Sequence, residues 1–374
     1  MRLPEMAADR PLLVVHDEEE GHLVFDLLLH DSDETLLSCF PHPAERFPPS
    51  WMCCQLAVSG GIILGVRYDF WDGTLFHDTV MKVGGYGYWE MQRDPLRDAE
   101  GRIRWWWPMG RHFHATPGGH KEAPAMLPVA GGTVVRMDTI LFDGAYDFDV
   151  LRLAPGGGWW DATPLPKPPI GILTEPDMEY VSAYFAVGTR VWISVTRKGT
   201  FSVDVGEHGG VWAMEGSWQL PFEGRALHVP ELGSVIGLTA GTRILCACDV
   251  KAGTPPAMRH VWRETLPSPW EECVDGSRPS DMASLAYLGK GRFCICRPMS
   301  TKDPDPCANP PVGSFLVVEL RRLPTGELEL AKRGKMSYMW PPPGRPCPYL
   351  GFIQPATSPS IDGSTPHPTL TPTL

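Results

Sequence analysis

An apolar strand ending on an acidic residue, a spacer of about eleven residues, a Trp or Leu, and a Leu-Pro or Phe-Pro corner recur in that order along the chain. Three copies are clear. They are Phe148-Asp149-Val150 with Trp160 and Leu165-Pro166, Phe201 to Asp204 with Trp212 and Leu220-Pro221, and Leu245 to Asp249 with Trp262 and Leu266-Pro267. Weaker copies are Val24-Phe25-Asp26 with Leu37 and Phe40-Pro41, Phe76 to Asp78 with Trp89, and Val317-Val318-Glu319 with Leu330. A unit this small has too little apolar surface to make a core of its own. Repetition at a period near fifty residues therefore points to units that bury their faces on one another, as in propellers and solenoids.

The local pattern is β throughout. Gly (39) and Pro (40) interrupt the chain every few residues, and no run of a dozen residues keeps apolar positions at helical spacing. What recurs are short runs rich in Val, Ile, Phe, Tyr and Trp, such as Leu12 to Val15, Val134 to Phe142, Tyr184 to Val187, Val191 to Val195, Ile244 to Val250 and Phe315 to Leu320. Some are apolar without alternation, as in Ile62-Ile63-Leu64. That means burial on both faces, as in the inner strands of a blade held between two neighbours. A two-sheet sandwich would alternate more cleanly.

The acidic positions 26, 78, 149, 204, 249 and 319 stand 45 to 71 residues apart. A four-stranded blade takes about 40 to 50 residues. The expected fold is an all-β β-propeller of six blades, with seven as the alternative if the long gaps after 78 and 249 hide a degenerate blade. The propeller should span residues 11–353, after an N-terminal arm at 1–10 and before a Thr- and Pro-rich tail at 354–374 with little to bury. Each part of the repeat has a physical use. The acid can accept N–H groups of the following turn, the indole can fill the wedge between blades, and the Leu-Pro corner redirects the chain.

A net charge of -11 argues against a phosphate-binding surface, because nucleic-acid affinity comes largely from Lys and Arg. No stretch supplies the roughly 20 apolar residues of a membrane helix. Met1 to Glu5 lacks the apolar run of a signal peptide. The ten cysteines are then read as free thiols in a reducing compartment, cytoplasmic or nuclear.

One stretch carries a resemblance. Lys198-Gly-Thr-Phe-Ser-Val-Asp204 leads to Trp212, Gly216-Ser-Trp-Gln-Leu-Pro-Phe222, Val229-Pro-Glu-Leu232 and Ile236-Gly-Leu238, with Leu288-Gly-Lys-Gly-Arg-Phe-Cys-Ile295 further on. Over about residues 180 to 300 it resembles a plant family, expanded in grasses, of kelch-like and F-box-associated β-propeller proteins of unknown function. The resemblance implies a propeller. It also implies, for members with an N-terminal F-box, docking onto a ubiquitin-ligase scaffold. Met1 to Arg10 is too short for an F-box, so that docking is not expected of this chain. No catalytic residues carry over.

Candidate chemistry is sparse. Cys246 and Cys248, with Cys294 and Cys296, could suggest a four-thiolate zinc set. Each pair, however, lies within a strand rather than on a turn, and core packing is the simpler reading. His112, His114 and His120 lie around a Pro-Gly-Gly loop without a nearby acid, and Asp138, Asp143, Asp147 and Asp149 do not follow calcium-loop spacing. No cofactor is expected. Three adjacent indoles, Trp105, Trp106 and Trp107, cannot all face one side of a strand. With Arg104, Arg111, His112 and His114 they make the candidate partner-binding surface, since Trp and Arg dominate binding hot spots. The expected function is a non-catalytic module that binds a protein or peptide through loops on one face of the ring. The alternatives are a kelch-type metal-dependent oxidoreductase and a diverged paralogue with little activity.

Overall fold

The computed structural model describes residues 11–17, 21–26, 45–47, 54–59, 62–71, 75–83, 96–97, 103–104, 114–115, 124–141, 148–153, 160–171, 179–206, 210–262, 271–272, 283–300, 312–339 and 349–353. Strands dominate them. The first sheet holds β1 (Leu12–Asp17), β2 (Gly21–Asp26) and β3 (Glu45–Phe47). The second begins with β4 (Cys54–Ser59), β5 (Ile62–Trp71) and β6 (Leu75–Val83). A two-stranded ribbon of β7 (Leu96–Arg97) and β8 (Ile103–Arg104) follows, and β9 (His114–Ala115) completes the second sheet.

In the third sheet β10 (Pro124–Val129) and β11 (Thr133–Asp138) come first, and β12 (Ile140–Leu141) leaves it to join the next sheet. β13 (Phe148–Leu153) and β14 (Trp160–Pro164) finish it. The fourth sheet runs β15 (Glu179–Val187), β16 (Arg190–Val195), β17 (Gly199–Asp204), β18 (Ala213–Gly216). The short β19 (Gly224–Arg225) pairs parallel to β15. The fifth holds β20 (Leu227–Val229), β21 (Ser234–Leu238), β22 (Leu245–Lys251) and β23 (Thr254–Trp262). In the sixth, β24 (Glu271–Glu272) and β25 (Ser284–Gly289) both pair with β26 (Arg292–Ser300), followed by β27 (Val312–Arg322) and β28 (Leu328–Met339). Finally β29 (Tyr349–Ile353) returns to pair with β1 and completes the first sheet.

The inner strands touch in a closed circuit: β29 with β4, β4 with β10, β10 with β15, β15 with β20, β21 with β25, and β25 with β29. Strand order within each sheet thus runs outward from this circuit, which is the arrangement of a β-propeller. The blade count is corrected. Among the described residues four sheets have the regular four-stranded form of a blade, not six or seven. The fourth sheet takes on β12 and β19 at its inner edge, and the sixth divides its inner position between β24 and β25. The repeat could not reveal this, because it marks the outer half of each unit and carries no information on what pairs at the inner edge. No helix among the described residues is long and apolar enough to cross a membrane.

The seams between sheets are the core. β11 is buried at every position, and β16 from Val191 to Val195. Alternate side chains of β16 go to opposite seams, as a pleated strand requires. Val191, Ile193 and Val195 meet Val135, Met137, Phe148 and Val150 of the third sheet. Trp192 joins Phe185, Phe222, Val235, Cys246 and Cys248 toward the fifth. Leu245, Ala247, Phe293, Ile295 and Val318 fill the seam between the fifth and sixth sheets.

The repeat maps onto these seams. Its acidic residues all lie on the third strand from the centre: Asp26 on β2, Asp78 on β6, Asp149 on β13, Asp204 on β17, Asp249 on β22 and Glu319 on β27. The Trp212 indole packs edge-on against Phe148 of the third sheet, with ring centroids 5.1 Å apart, and its Nε1–H donates to the Pro166 carbonyl at 2.7 Å. Leu165 of that corner donates its N–H to Phe148 at 2.9 Å. One repeat's Trp therefore reads the previous repeat's corner.

Cys246 and Cys248 lie in the seam between the fourth and fifth sheets. Cys294 and Cys296 are on β26, opposite in parity to Phe293 and Ile295, which fill the next seam. The fifth and sixth sheets both stand between the two pairs, so they cannot share one metal ion. Burial pushes the Cys246, Cys248 and Cys294 thiols up to about 12 and Cys296 well above its ordinary value.

Two outcomes follow. Trp212→Ala should destabilise the fold by about 3–5 kcal/mol and Trp212→Phe, which keeps a ring but loses the donor, by about 1 kcal/mol beyond the lost ring area, both read from urea denaturation. The unfolded chain ionises its thiols near pH 8.5, while the folded chain holds these four protonated much further. Their contribution is complete below pH 8.5 and is lost as the pH rises toward 12, by up to about 1.4 kcal/mol per pH unit per thiol. Alkaline denaturation should be steeper in this protein than in a Cys246→Ala/Cys248→Ala variant.

Candidate interaction surface

The polar groups of the repeat are spent on holding the sheets together. Asp149 is buried opposite Arg136 on β11, and Arg136 Nε donates to Asp149 Oδ2 at 2.9 Å. Asp204 behaves as the sequence suggests: its Oδ1 accepts the Gly206 N–H at 2.9 Å. That bond, then the Thr189 hydroxyl and Arg190, hold its carboxyl below the usual range. Asp249 instead pairs with Arg259 on β23 at 2.6 Å. Glu319 takes Arg321 and Arg333, with the Arg321 hydrogen bond the main cause of its lowered pKa. Within the fourth sheet the Ser194 and Thr200 hydroxyls meet at 2.7 Å, Ser194 Oγ accepts the Leu220 N–H, and Thr200 donates to the Trp218 carbonyl. Such networks fix the geometry of the sheets. Among the described residues no group of three His, Cys, Asp or Glu side chains converges as a metal site would require.

The outer rim is different. Of the six large apolar side chains exposed among the described residues, four lie on or next to the outer strands of the fourth and fifth sheets. Val211 (82%) and Met214 (54%) flank the entry to β18, and Met258 (45%) and Val261 (39%) lie on β23. Register shows how they face. Met258 stands opposite Cys248 and Val261 opposite Cys246, so both share the face of the fifth sheet that looks toward the fourth. Met214 stands opposite Phe201 and so lies on the far side of β18, toward the third sheet.

β18 is fixed in this position by Glu215, whose Oε1 accepts from Ser202 and whose Oε2 accepts the Gly253 N–H at 2.6 Å. Gly253 has φ +67, a conformation that suits glycine at the β22–β23 turn. The fourth and fifth sheets are thereby tied at their outer edges, and the apolar side chains project from a rigid frame. The exposed charges on this hairpin are Lys251 and Arg259, the latter paired with Asp249.

The surface expected from the sequence falls mostly elsewhere. Arg104 lies on β8 opposite Leu96, and His114 on β9 opposite Val80, so the two belong to different sheets. Trp105, Trp106, Trp107, Arg111 and His112 lie outside the described residues. The rim itself was missed. A signal for it existed: the strand between the acidic strand and the Leu-Pro corner is always outermost, so an apolar residue there other than the wedge Trp has no neighbour to cover it.

Several solved structures are similar to this chain. The β-propeller domain of Cps50 (Swd1) from Myceliophteria thermophila is 10% identical, with a TM-score of 0.42 over 90% of this chain and 85% of that one. A protein from Lactobacillus plantarum is 10% identical, with a TM-score of 0.42 over 91% and 99%. A prolyl endopeptidase is 11% identical, with a TM-score of 0.33 over 85% of this chain and 56% of its own. No curated protein matches. The family model described as "Protein of unknown function (DUF1668)" matches residues 30–338. The chain belongs to that family.

Proposed function

We propose that this protein is a non-catalytic interaction module that binds a protein or peptide. The reading rests on one observation: exposed apolar side chains collect on and beside the outer strands β18 and β23, which Glu215 ties together. Apolar side chains held at a rigid edge lose little entropy on binding and gain area buried. β23 is also guarded against indiscriminate strand pairing, because Pro255, Pro256 and Arg259 interrupt its edge. The partner is therefore recognised by side chains rather than by strand addition. Trp105, Trp106 and Trp107, with Arg104, Arg111, His112 and His114, are proposed as a second contact. A cytoplasmic or nuclear site of action and a kelch-like, F-box-associated plant lineage belong to the same proposal. Docking onto a ubiquitin-ligase scaffold does not.

Quantitative affinity capture with three baits tests it. Met258→Asp/Val261→Asp changes only exposed side chains and should leave the melt within about 0.5 kcal/mol of the parent. It should lose, by tenfold or more, a partner that the unaltered protein retains. A Trp105→Ala/Trp106→Ala/Trp107→Ala bait reports on the second contact. Equal capture by all three baits would overturn the proposal.

A further inference from the structure

One contact between neighbouring sheets depends on a histidine side chain acting as a hydrogen-bond acceptor. The Leu328 N–H donates to His260 Nε2 at 3.2 Å. His260 lies on β23, the outer strand of the fifth sheet, and Leu328 opens β28, the outer strand of the sixth. The backbone explains why this donor points outward. Leu323 N–H bonds to Glu327 O at 2.8 Å, which makes 323 and 327 a hydrogen-bonded pair at the hairpin end. The next pair, Arg322 and Leu328, is then of the non-bonded kind, and its N–H groups face away from the ladder. Without His260, Leu328 would present an outward donor beside a side chain that is itself buried at 6% exposure.

The imidazole is held for this task. It stacks on Trp262 with ring centroids 5.5 Å apart and planes 13° apart. Trp262, Leu328 and Leu330 pack on the same core between the fifth and sixth sheets. A neutral imidazole has one acceptor nitrogen, whereas an imidazolium has two donors and no acceptor. We propose that His260 is a proton-operated latch between the fifth and sixth sheets, closed while Nε2 accepts the Leu328 N–H and open once Nε2 carries a proton. Protonation sets two donors face to face and strips a buried N–H of its acceptor. The charged groups on the surrounding elements are Asp249 and Lys251 on β22, Arg259 beside it on β23, Glu319, Arg321 and Arg322 on β27, Glu327 just before β28, and Glu329, Lys332, Arg333 and Lys335 on β28. The contribution of the latch is present with the imidazole neutral and is lost once Nε2 carries a proton. The inference stands whether or not the rim binds a partner.

Amide hydrogen exchange on the full chain tests it, with rates corrected for intrinsic pH dependence. Between pH 7.5 and 5.5 the protection of the Leu328 amide should fall by about three- to tenfold, while Glu329 and Ala331, whose N–H groups face β27, change less. His260→Gln offers an amide oxygen that does not titrate and should make Leu328 protection independent of pH. His260→Ala should show the low value at both. Unchanged protection of Leu328 in the unaltered protein, measurable even if a variant does not fold, overturns the latch. So does an equal loss in His260→Gln.

Discussion

No sheet in this protein can be dry on its own. Strands such as β11 and β16 are buried on both sides, so each sheet must be covered twice, once by each neighbour. Burial is worth about 25 cal/mol per Å² of apolar surface, and here nearly all of it is realised in seams between sheets rather than within any one. That single requirement explains the circuit of inner strands and the length of the repeat. It also explains the position of the wedge Trp, which completes a seam with the preceding unit.

The seams are held by a shared device. A long side chain crosses to the neighbouring sheet and donates to a main-chain carbonyl there. Trp212 does so to Pro166, Arg152 to Val205, Arg297 to Arg243 and Arg322 to Leu232. Arginine suits this work, because a planar guanidinium can reach a carbonyl while its stem covers apolar surface. Burying such cations costs desolvation free energy, so they specify which sheets meet more than they add to stability. Removing one would leave a carbonyl and a cavity together, and the loss would be felt in the seam rather than in one strand.

The sequence was informative where the physics is local and repeated. The acidic residues, wedge Trp and Leu-Pro corners marked the third strand and the outer turn of each unit, because each has one chemical job that only a few residue types perform. Asp204 does that job as expected. Asp149, Asp249 and Glu319 do not, since each has an arginine across or along the strand, and an arginine thirteen or ten positions away in sequence is invisible to a pattern read along the chain. Blade regularity was also invisible. β12 and β19 are two-residue strands whose pairing with β15 is set by the path of a connection, not by periodicity. The rim was not legible for another reason: isolated apolar residues look ordinary along the chain, and only register puts Met258 and Val261 on one face of β23.

The pairing of β29 with β1 brings residues near the two ends of the described chain into one sheet. During synthesis β1 therefore waits for a neighbour encoded more than three hundred residues later. At translation rates of about 5 to 20 residues per second, that wait is roughly 20 to 70 s. Throughout it the nascent ring is an arc with one raw edge at β1, whose Leu13 and Val15 become fully covered only in the finished molecule. Such an arc is a ready substrate for chaperones, and a ribosome that stalls late would strand it.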